Sequence, residues 1–211
     1  FETVEVETVI PDILVGRRAD GTWSVELNTD TLPRLLVNQQ YHALVSTKAQ
    51  SKAEREYLSD RLAAANWLVK TLHQRATTIL KVASEIVRQQ ENFLLHGIQH
   101  LKPMIRRDIA EAIGMHESTV SRVTTNKYMA TPRGLFELRY FFSAAIQGAN
   151  GADSHSAESV RSRIKDLVDA EPADEILSDD RLVAILQQQG VEIARRTVAK
   201  YRESLKIPSS V

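Results

Sequence analysis

The residues best suited to chemistry in this sequence lie in a cationic stretch near its C-terminal end, ARRTVAKYRE, which spans Ala194–Glu203. This stretch contains four Lys or Arg residues, although the chain of 211 residues has a formal net charge of zero. An arginine can bind guanine O6 and N7 through two hydrogen bonds in the major groove, and a lysine can reach guanine or a phosphate. The stretch is therefore a candidate for contact with duplex DNA.

Helical geometry sorts the side chains of this stretch into two faces. At about 100° per residue, the apolar face, which is predicted to pack on a core, comprises Ala194, Val198, Tyr201 and Leu205. The opposite face, flanked by Arg195, comprises Arg196, Ala199, Lys200 and Glu203. The side chain of Ala199 is only a methyl group, which would let this face approach a surface closely. A basic face that meets only solvent is the alternative interpretation.

Side chains at the edges of the cationic face complete the candidate set. The hydroxyl groups of Thr197 and Tyr201 are predicted to reach phosphates from the sides. Glu203 could accept a hydrogen bond from cytosine or hold an arginine in place. The residues of this stretch that are predicted to contact DNA are Arg195, Arg196, Thr197, Ala199, Lys200, Tyr201 and Arg202.

A capped helix and a glycine turn precede the cationic stretch. Ser178 is predicted to cap that helix, and Asp179 and Asp180 stand in its first turn, where the helix dipole favours negative charge. Gly190 is predicted to end it. A capped helix, a turn and a second helix form a helix-turn-helix unit, in which the second helix enters the DNA groove.

The stretch RDIAEAIGMHESTVSRVTTN, Arg107–Asn126, has the same organisation. Ala110, Gly114 and Val120 are spaced as a tight crossing of two helices requires, with a small residue at the contact and glycine in the turn. The predicted packing is completed by Ile109, Ile113 and Val123. The predicted outward residues, whose hydroxyls and arginine suit phosphate and groove contacts, are Glu117, Ser118, Ser121, Arg122, Thr125 and Lys127. Helical protein-interaction domains carry similar patterns and are the alternative.

A long helix is predicted ahead of this unit. Between Pro33 and Gly97 the sequence contains neither Pro nor Gly. Ser51 and Glu54 have the spacing of a capping box, and apolar residues then recur at helical spacing. An uninterrupted helix from about Ser51 to Asn92 would be roughly 60 Å long. The alternative is two helices broken near Thr77–Thr78, because β-branched residues lower helix propensity.

The other segments predict a hairpin, a helix start and a linker. The N-terminal sequence FETVEVETV alternates as a strand does, and Asp20–Gly21 separates two apolar-rich runs, which favours a hairpin. Thr131–Pro132 is typical of a helix start. The composition of Gln147–Ser159 is typical of a flexible linker.

These observations predict a mainly α fold. It has a small β-hairpin remnant, a long extended helix, and two separate helix-turn-helix DNA-binding units joined by a flexible linker. The predicted divisions are residues 1–50, 51–100 for the long helix, 101–148 for the central unit, 149–158 for the linker and 159–211 for the C-terminal unit. Residues 61–150 carry 12 Lys and Arg against 6 Asp and Glu, which indicates local anion-binding surface rather than a uniform polycation.

Composition and motifs point away from enzymes and membranes. The chain contains no Cys, which excludes disulfides and allows a reducing cytoplasm, where we expect it. No apolar run approaches the roughly 18 residues of a membrane span, and no phosphate-binding loop or nucleophile elbow is present. His96 and His100 share a helix face without a Glu that would complete a metalloprotease motif, so neither a metal nor another cofactor is predicted.

Read in full, the cationic stretch resembles the signature box of the sigma-54 family of bacterial transcription initiation factors. MHESTVSRVTTNKYMATPRGLFELRYFFS, Met115–Ser143, is similar to that family's central helix-turn-helix. LNTDTLPRLLVNQQY, Leu27–Tyr41, is similar to the end of its polymerase-binding region. The resemblance covers essentially the whole chain, and the ten-residue box is highly specific to the family.

The resemblance implies a function in promoter recognition rather than catalysis. Such factors bind core RNA polymerase and direct it to promoter double-stranded DNA with elements around −24 and −12. The box helix would read the GG of the −24 element through Arg195, Arg196 and Lys200, and Arg122 would lie near the −12 element. In the full-length protein an ATP-hydrolysing activator is needed to open the DNA.

The sequence departs from the family pattern at its N-terminal side. The Gln- and Leu-rich region that meets the activator and most of the polymerase-binding domain are missing, and the chain begins at Phe1. We therefore expect a C-terminal fragment that keeps promoter recognition, holds part of the polymerase interface and does not respond to the activator. The alternatives are an autonomous helix-turn-helix repressor or activator, which would bind a palindrome as a dimer, and a structural adaptor built on the long helix.

Overall fold

Two hairpins form one four-stranded sheet in the computed structural model, which describes residues 8–48, 51–143, 145–146, 148, 154–172 and 176–208. β1 (Ile13–Arg17) pairs antiparallel with β2 (Trp23–Leu27), and β3 (Tyr128–Thr131) pairs antiparallel with β4 (Gly134–Glu137). β1 and β3 are parallel neighbours, so the strand order is β2-β1-β3-β4. The first hairpin confirms the turn predicted at Asp20–Gly21. Most of the strand predicted within residues 1–9 lies outside the described residues.

The second hairpin corrects the helix start predicted at Thr131–Pro132. Thr131 ends β3, and its hydroxyl accepts a hydrogen bond from the backbone N–H of Arg133 at 3.1 Å and donates one to the carbonyl of Gly134 at 2.9 Å. A threonine hydroxyl can accept a nearby backbone N–H in a turn as well as at a helix cap, and Pro followed by Gly two residues later suits a β-turn. The local signal was therefore compatible with both structures.

The long helix is continuous. α1 (Gln39–Lys48) precedes α2 (Lys52–Gln89), whose 38 residues begin at the capping box of Ser51 and Glu54. The hydroxyl groups of Thr77 and Thr78 donate to the backbone carbonyls four residues earlier, at 2.9 and 2.8 Å, so both residues fit inside the helix. α2 ends at Gln89 rather than near Asn92, and α3 (Glu91–His96) follows with a 3-10 helix at Ile98–His100.

The C-terminal half of α2 packs in a core that joins both ends of this unit. Its buried residues begin at Thr78, so its first 26 residues extend about 40 Å along the helix axis without a buried side chain. The core includes Ile13 of β1 and Met129 of β3. The N-terminal hairpin, the C-terminal half of α2 and the central helices therefore share one core.

The central helix pair has the predicted packing. α4 (Arg106–Ile113) and α5 (Glu117–Thr124) are joined by a turn at Gly114, whose φ of 65° and ψ of 40° are left-handed. Ala110 and Val120 are buried where the two helices meet. A buried amide at the C-terminal cap of α2 supports this unit, because Gln90 donates to the carbonyl of Lys102 at 2.9 Å and accepts from its N–H at 3.1 Å.

Replacing Gly114 with alanine should lower the free energy of unfolding by about 1–2 kcal/mol, because a Cβ disfavours the left-handed conformation. An added Cβ meets no atom within 4 Å, so the cost comes from the backbone conformation alone. Chemical denaturation of the two proteins measures it. Gly16→Ala is the matched control, since that site is also open but its φ is not positive. Equal destabilisation by both changes would contradict the explanation.

A second core organises the C-terminal unit. A short antiparallel pair, β5 (Ala145–Ile146) and β6 (His155–Ser156), leads into α6 (Ala157–Asp169), α7 (Asp179–Gln188) and α8 (Arg195–Ser204). The N-cap Ser178 and the first-turn Asp179 and Asp180 are as predicted. The buried residues of this core are Val160, Ile164, Leu182, Leu186, Val191, Ile193, Val198 and Tyr201.

Residues 155–158 of the linker predicted over residues 149–158 lie in a strand and a helix, and the two units are in contact. Residues 149–153 lie outside the described residues, but His155–Ser156 form β6 and Ser156 caps α6. The Ser-rich composition that indicated a linker is also that of a helix N-cap. Gln99 donates to the carboxylate of Asp166 at 2.7 Å, which joins the 3-10 helix to α6.

Tyr140 lies near the contact between the units. Burial raises the pKa of Tyr140, the carboxylate of Glu158 on α6 raises it further, and Arg161 lowers it. Tyr140 packs against the first core, and the hydrogen bond from Gln99 to Asp166 of α6 joins the two units. They are therefore not the fully separate units that the sequence predicted.

Candidate nucleic-acid interface

The back of α8 is fixed on the second core. Val198 is fully buried, Tyr201 is 8% exposed, and Leu205 packs against the same core. The guanidinium of Arg161 lies 5.0 Å from the centre of the Tyr201 ring, a cation–π contact from α6. Ala194, which was predicted to face the core, is instead exposed as the N-cap residue. The helix thus presents its other face from a rigid support.

The outward face of α8 has the predicted composition. Its exposed side chains are Arg195, Arg196, Ala199, Lys200 and Glu203. Thr197 is half-buried at the edge of this face. Arg196 and Lys200 make no ion pair with any residue in the described part of the chain. Arg196 and Lys200 are four residues apart and so lie on one face of the helix, with the methyl group of Ala199 beside them, which is an arrangement suited to groove contact.

Two residues of the predicted contact set are turned inward. Arg202 is 4% exposed, and it donates to the carbonyls of Leu177 at 2.8 Å and Pro208 at 2.9 Å. It also pairs with Asp179 at 3.3 Å. Tyr201 is buried against the core, so its ring does not flank the cationic face. The burial of Tyr201 agrees with its predicted place on the apolar face, and only the contact predicted for its hydroxyl is affected. Arg202 is buried because it has polar partners inside the unit that local sequence does not reveal.

Arg195 is held by a surface ion pair. Its guanidinium lies 3.3 Å from the carboxylate of Asp180, and both side chains are well exposed, at 64% and 67%. Exposed pairs of this kind contribute only about 0–1 kcal/mol to stability. The first turn of α7 thus provides a partner for Arg195 as well as for Arg202.

The outward face of α5 carries most of the residues predicted for it. The exposed members are Glu117, Ser118, Arg122 and Thr125. Ser121 is half-buried, and its carbonyl accepts hydrogen bonds from the hydroxyls of Thr124 and Thr125. The ring nitrogen Nδ1 of His116 accepts from the N–H of Ser118 at 3.2 Å and caps the helix.

Lys127 is placed differently from the rest of this set. Its ammonium group lies 3.2 Å from the carboxylate of Asp12, and its side chain is 23% exposed. Asp12 also accepts from the backbone N–H of Tyr128 at 3.0 Å. The charge of Lys127 is therefore partly used in joining β1 to β3, because Asp12 directly precedes β1. The sequence predicted the hairpin that contains β1 but not its pairing with β3.

A groove of about 600 Å³ runs between α2 and α5 and reveals a residue that sequence reasoning missed. Arg75 of α2 lines this α2–α5 groove together with Arg122 and Lys127, and no acidic side chain is among its described lining residues. Hydroxyl and amide groups also line it, from Thr71, Gln74, Thr78, Thr119, Thr125 and Asn126. The sequence signal for Arg75 is the run of mostly polar residues at 70–78. The prediction of the helix used only its apolar positions, so this run was not considered.

Other kinds of site find little support among the residues described. No cluster of three or more His, Cys, Asp or Glu side chains in that part of the chain could hold a metal ion. The rings of His96 and His100 lie 5.1 Å apart, and both residues are exposed. Within the same residues, none of the helices is long and apolar enough to cross a membrane.

Two family models match the chain. The sigma-54 DNA-binding domain matches residues 55–211, and the sigma-54 factor core-binding domain matches residues 1–41. The first match contains α5, α8 and the α2 residues that line the α2–α5 groove. The two candidate surfaces therefore both lie in the segment that matches a DNA-binding domain.

Known proteins similar to this chain agree with the family models. An RNA polymerase sigma-54 factor of Caulobacter vibrioides is 60% identical over 212 residues, covering 100% of this chain and 43% of the relative. That of Azorhizobium caulinodans is 59% identical, covering 98% and 40%. The chain therefore spans less than half the length of these relatives.

A solved structure has a similar fold. The crystal structure of Aquifex aeolicus sigmaN bound to promoter DNA matches with a TM-score of 0.63 and 33% identity, covering 99% of this chain and 62% of that one. The DNA-binding-domain match alone covers well over half of this chain. The chain belongs to the sigma-54 family of RNA polymerase factors.

Proposed function

We propose that this chain is the promoter-recognition part of a sigma-54-type transcription initiation factor. Two helix-turn-helix units would bind one asymmetric promoter: α7 and α8 at the element around −24, and α4 and α5 near the element around −12. Core RNA polymerase would be the protein partner. The role is one of binding, not of catalysis, and in a longer protein an ATP-hydrolysing activator would control DNA opening.

The observation that carries the proposal is the outward face of α8. Arg196 and Lys200 are exposed on a helix whose back is buried, and neither has an ion-pair partner within the described residues. The exposed methyl group of Ala199 stands beside Lys200. Arginine and lysine can donate to the major-groove edge of guanine, and a small residue lets the helix enter deeply. Each guanine presents two neighbouring acceptors, O6 and N7, whereas neither base of an A·T pair does. These donors therefore fit a GG step better.

The α2–α5 groove supports a second DNA contact. Arg75 and Arg122 line it without a carboxylate among the described lining residues, so it favours a phosphate-bearing ligand. Phosphate contacts position a protein on DNA but carry no sequence information. We assign this surface to holding the DNA near the −12 element, and α5 to the adjacent groove.

The partner assignment rests on residues 1–41, which match the core-binding domain of sigma-54 factors. An autonomous repressor needs no such segment, which weighs against that alternative.

Footprinting on a promoter duplex with and without core RNA polymerase tests the proposal. We expect one copy of the chain to protect both elements of an asymmetric site, and polymerase to extend the protection. Tight binding of a dimer to a palindrome, unchanged by polymerase, would instead identify an autonomous repressor or activator.

Replacing Arg75 and Arg122 together with alanine should weaken binding to all duplexes similarly. If each contacts one phosphate, the slope of log K against log salt should become shallower by about 1.8. Binding titrations at several salt concentrations measure this. Lys81→Ala is a control, because Lys81 is an exposed cation on α2 outside the α2–α5 groove. A loss confined to one base pair of the site would contradict a phosphate-contact role.

A further inference from the structure

The first turn of α7 contacts two arginines of α8 that are seven residues apart. Asp180 pairs with Arg195, and Asp179 pairs with Arg202, each at 3.3 Å. Residues i and i+7 lie on nearly the same side of a helix, about 10.5 Å apart along its axis. One flank of α8 therefore faces the N-terminal end of α7, and both acids are used there.

The two pairs differ in burial, which gives them different roles. The side chain of Arg202 is buried and has two backbone carbonyls as further partners, so it fixes the helix. Arg195 has only Asp180 as an ionic partner in the described part of the chain, and both groups stand in solvent. Such a pair adds little to stability, but it lies at the edge of the face that the proposed function brings to DNA.

We propose that Asp180 is a positioning residue that holds Arg195 away from the phosphate backbone and so limits the affinity of this unit for DNA of any sequence. The inference rests on the proposed function of α8. Sequence preference would come from Arg196 and Lys200, which have no acidic partner among the described residues.

The physical reason is competition between two anions for one guanidinium. A phosphate that approaches Arg195 must displace the Asp180 carboxylate, so the contact yields less free energy than that of an unpaired arginine. The number of competing non-specific sites on a genome is very large. A unit with weaker sequence-independent binding therefore spends less time away from promoters.

Asp180→Asn tests this inference in the whole chain. The change removes the charge but keeps the size of the side chain. Because Arg195 can then contact one phosphate, the slope of log K against log salt should become steeper by about 0.9. Binding should tighten by up to about fivefold at 0.1 M salt, because the gain is limited by the free energy of the exposed pair that the change removes. The probes are a promoter duplex with GG in its −24 element and the same duplex with that GG replaced by TT. We expect both affinities to rise by a similar factor.

Three further variants make the outcome decisive. Asp169→Asn removes one exposed carboxylate at the far end of α6 and controls for net charge. In an Arg195→Ala background, Asp180→Asn should have almost no effect, because Asp180 acts through Arg195. An equal effect in that background, or equal behaviour of Asp180→Asn and Asp169→Asn, would overturn the inference.

Arg196→Ala separates failure of the inference from failure of the proposed function. If the unaltered chain does not prefer the GG duplex, or if Arg196→Ala leaves that preference unchanged, the proposed function of α8 is wrong. If the preference depends on Arg196 while Asp180→Asn does not tighten binding, only the inference about Asp180 is wrong.

Discussion

Replacing Arg196 with alanine should weaken binding of the chain to a promoter duplex by about 1–3 kcal/mol and relax its preference at one position of the −24 element. The guanidinium of Arg196 is exposed and unpaired among the described residues, so it is available for two hydrogen bonds to a guanine. Binding titrations against duplexes altered at single base pairs measure both quantities. The folding of the unit should be unchanged, because the side chain has no buried contact.

Lys165→Ala is the matched control for this prediction. Lys165 is an exposed cation of the same unit on α6, and its loss should change affinity only through net charge. A uniform loss on all sequences in Arg196→Ala, together with a shallower salt slope, would mean that Arg196 contacts phosphate and reads no base.

Replacing Arg202 with methionine should destabilise the C-terminal unit by about 2–4 kcal/mol. The change leaves Asp179 without its partner and two carbonyls without a donor, and breaking a buried ion pair is costly in this way. The methionine keeps much of the apolar stem, so lost packing contributes little. Thermal unfolding followed by a signal from this unit measures the effect.

Salt dependence distinguishes the structural role of Arg202 from a DNA contact. Below the unfolding temperature, Arg202→Met should show the same salt slope for DNA binding as the unaltered chain, and Asp179→Asn should reproduce part of its instability. Normal stability combined with a shallower salt slope would place Arg202 among the DNA-contacting residues after all.

Local sequence patterns were sufficient to predict the parts of the fold that depend on one helix or one turn. The capping box at Ser51, the continuous α2 and the Gly114 turn were all predicted because their signals lie within a few residues. The exposed set on α8 followed from helical geometry. These features depend on residues that are close together in the sequence.

Features that depend on distant residues could not be predicted in this way. β1 and β3 are joined through Asp12 and Tyr128, which are 116 residues apart, and no local pattern shows that pairing. The same limitation explains the burial of Arg202, because its partner carbonyl of Leu177 lies 25 residues earlier in the chain, before α7. Thr131 was misread because its hydroxyl suits a turn and a helix cap equally.

Photo-crosslinking from position 199 tests the central claim most directly. A photoreactive amino acid in place of Ala199 sits in the middle of the outward face of α8, and the same group at Ala170, on the exposed end of α6, is the control. We expect crosslinks from position 199 to the bases of the −24 element of a promoter duplex, with few from position 170. Crosslinks from position 199 to protein alone, or equal crosslinks from both positions at scattered sites, would contradict it.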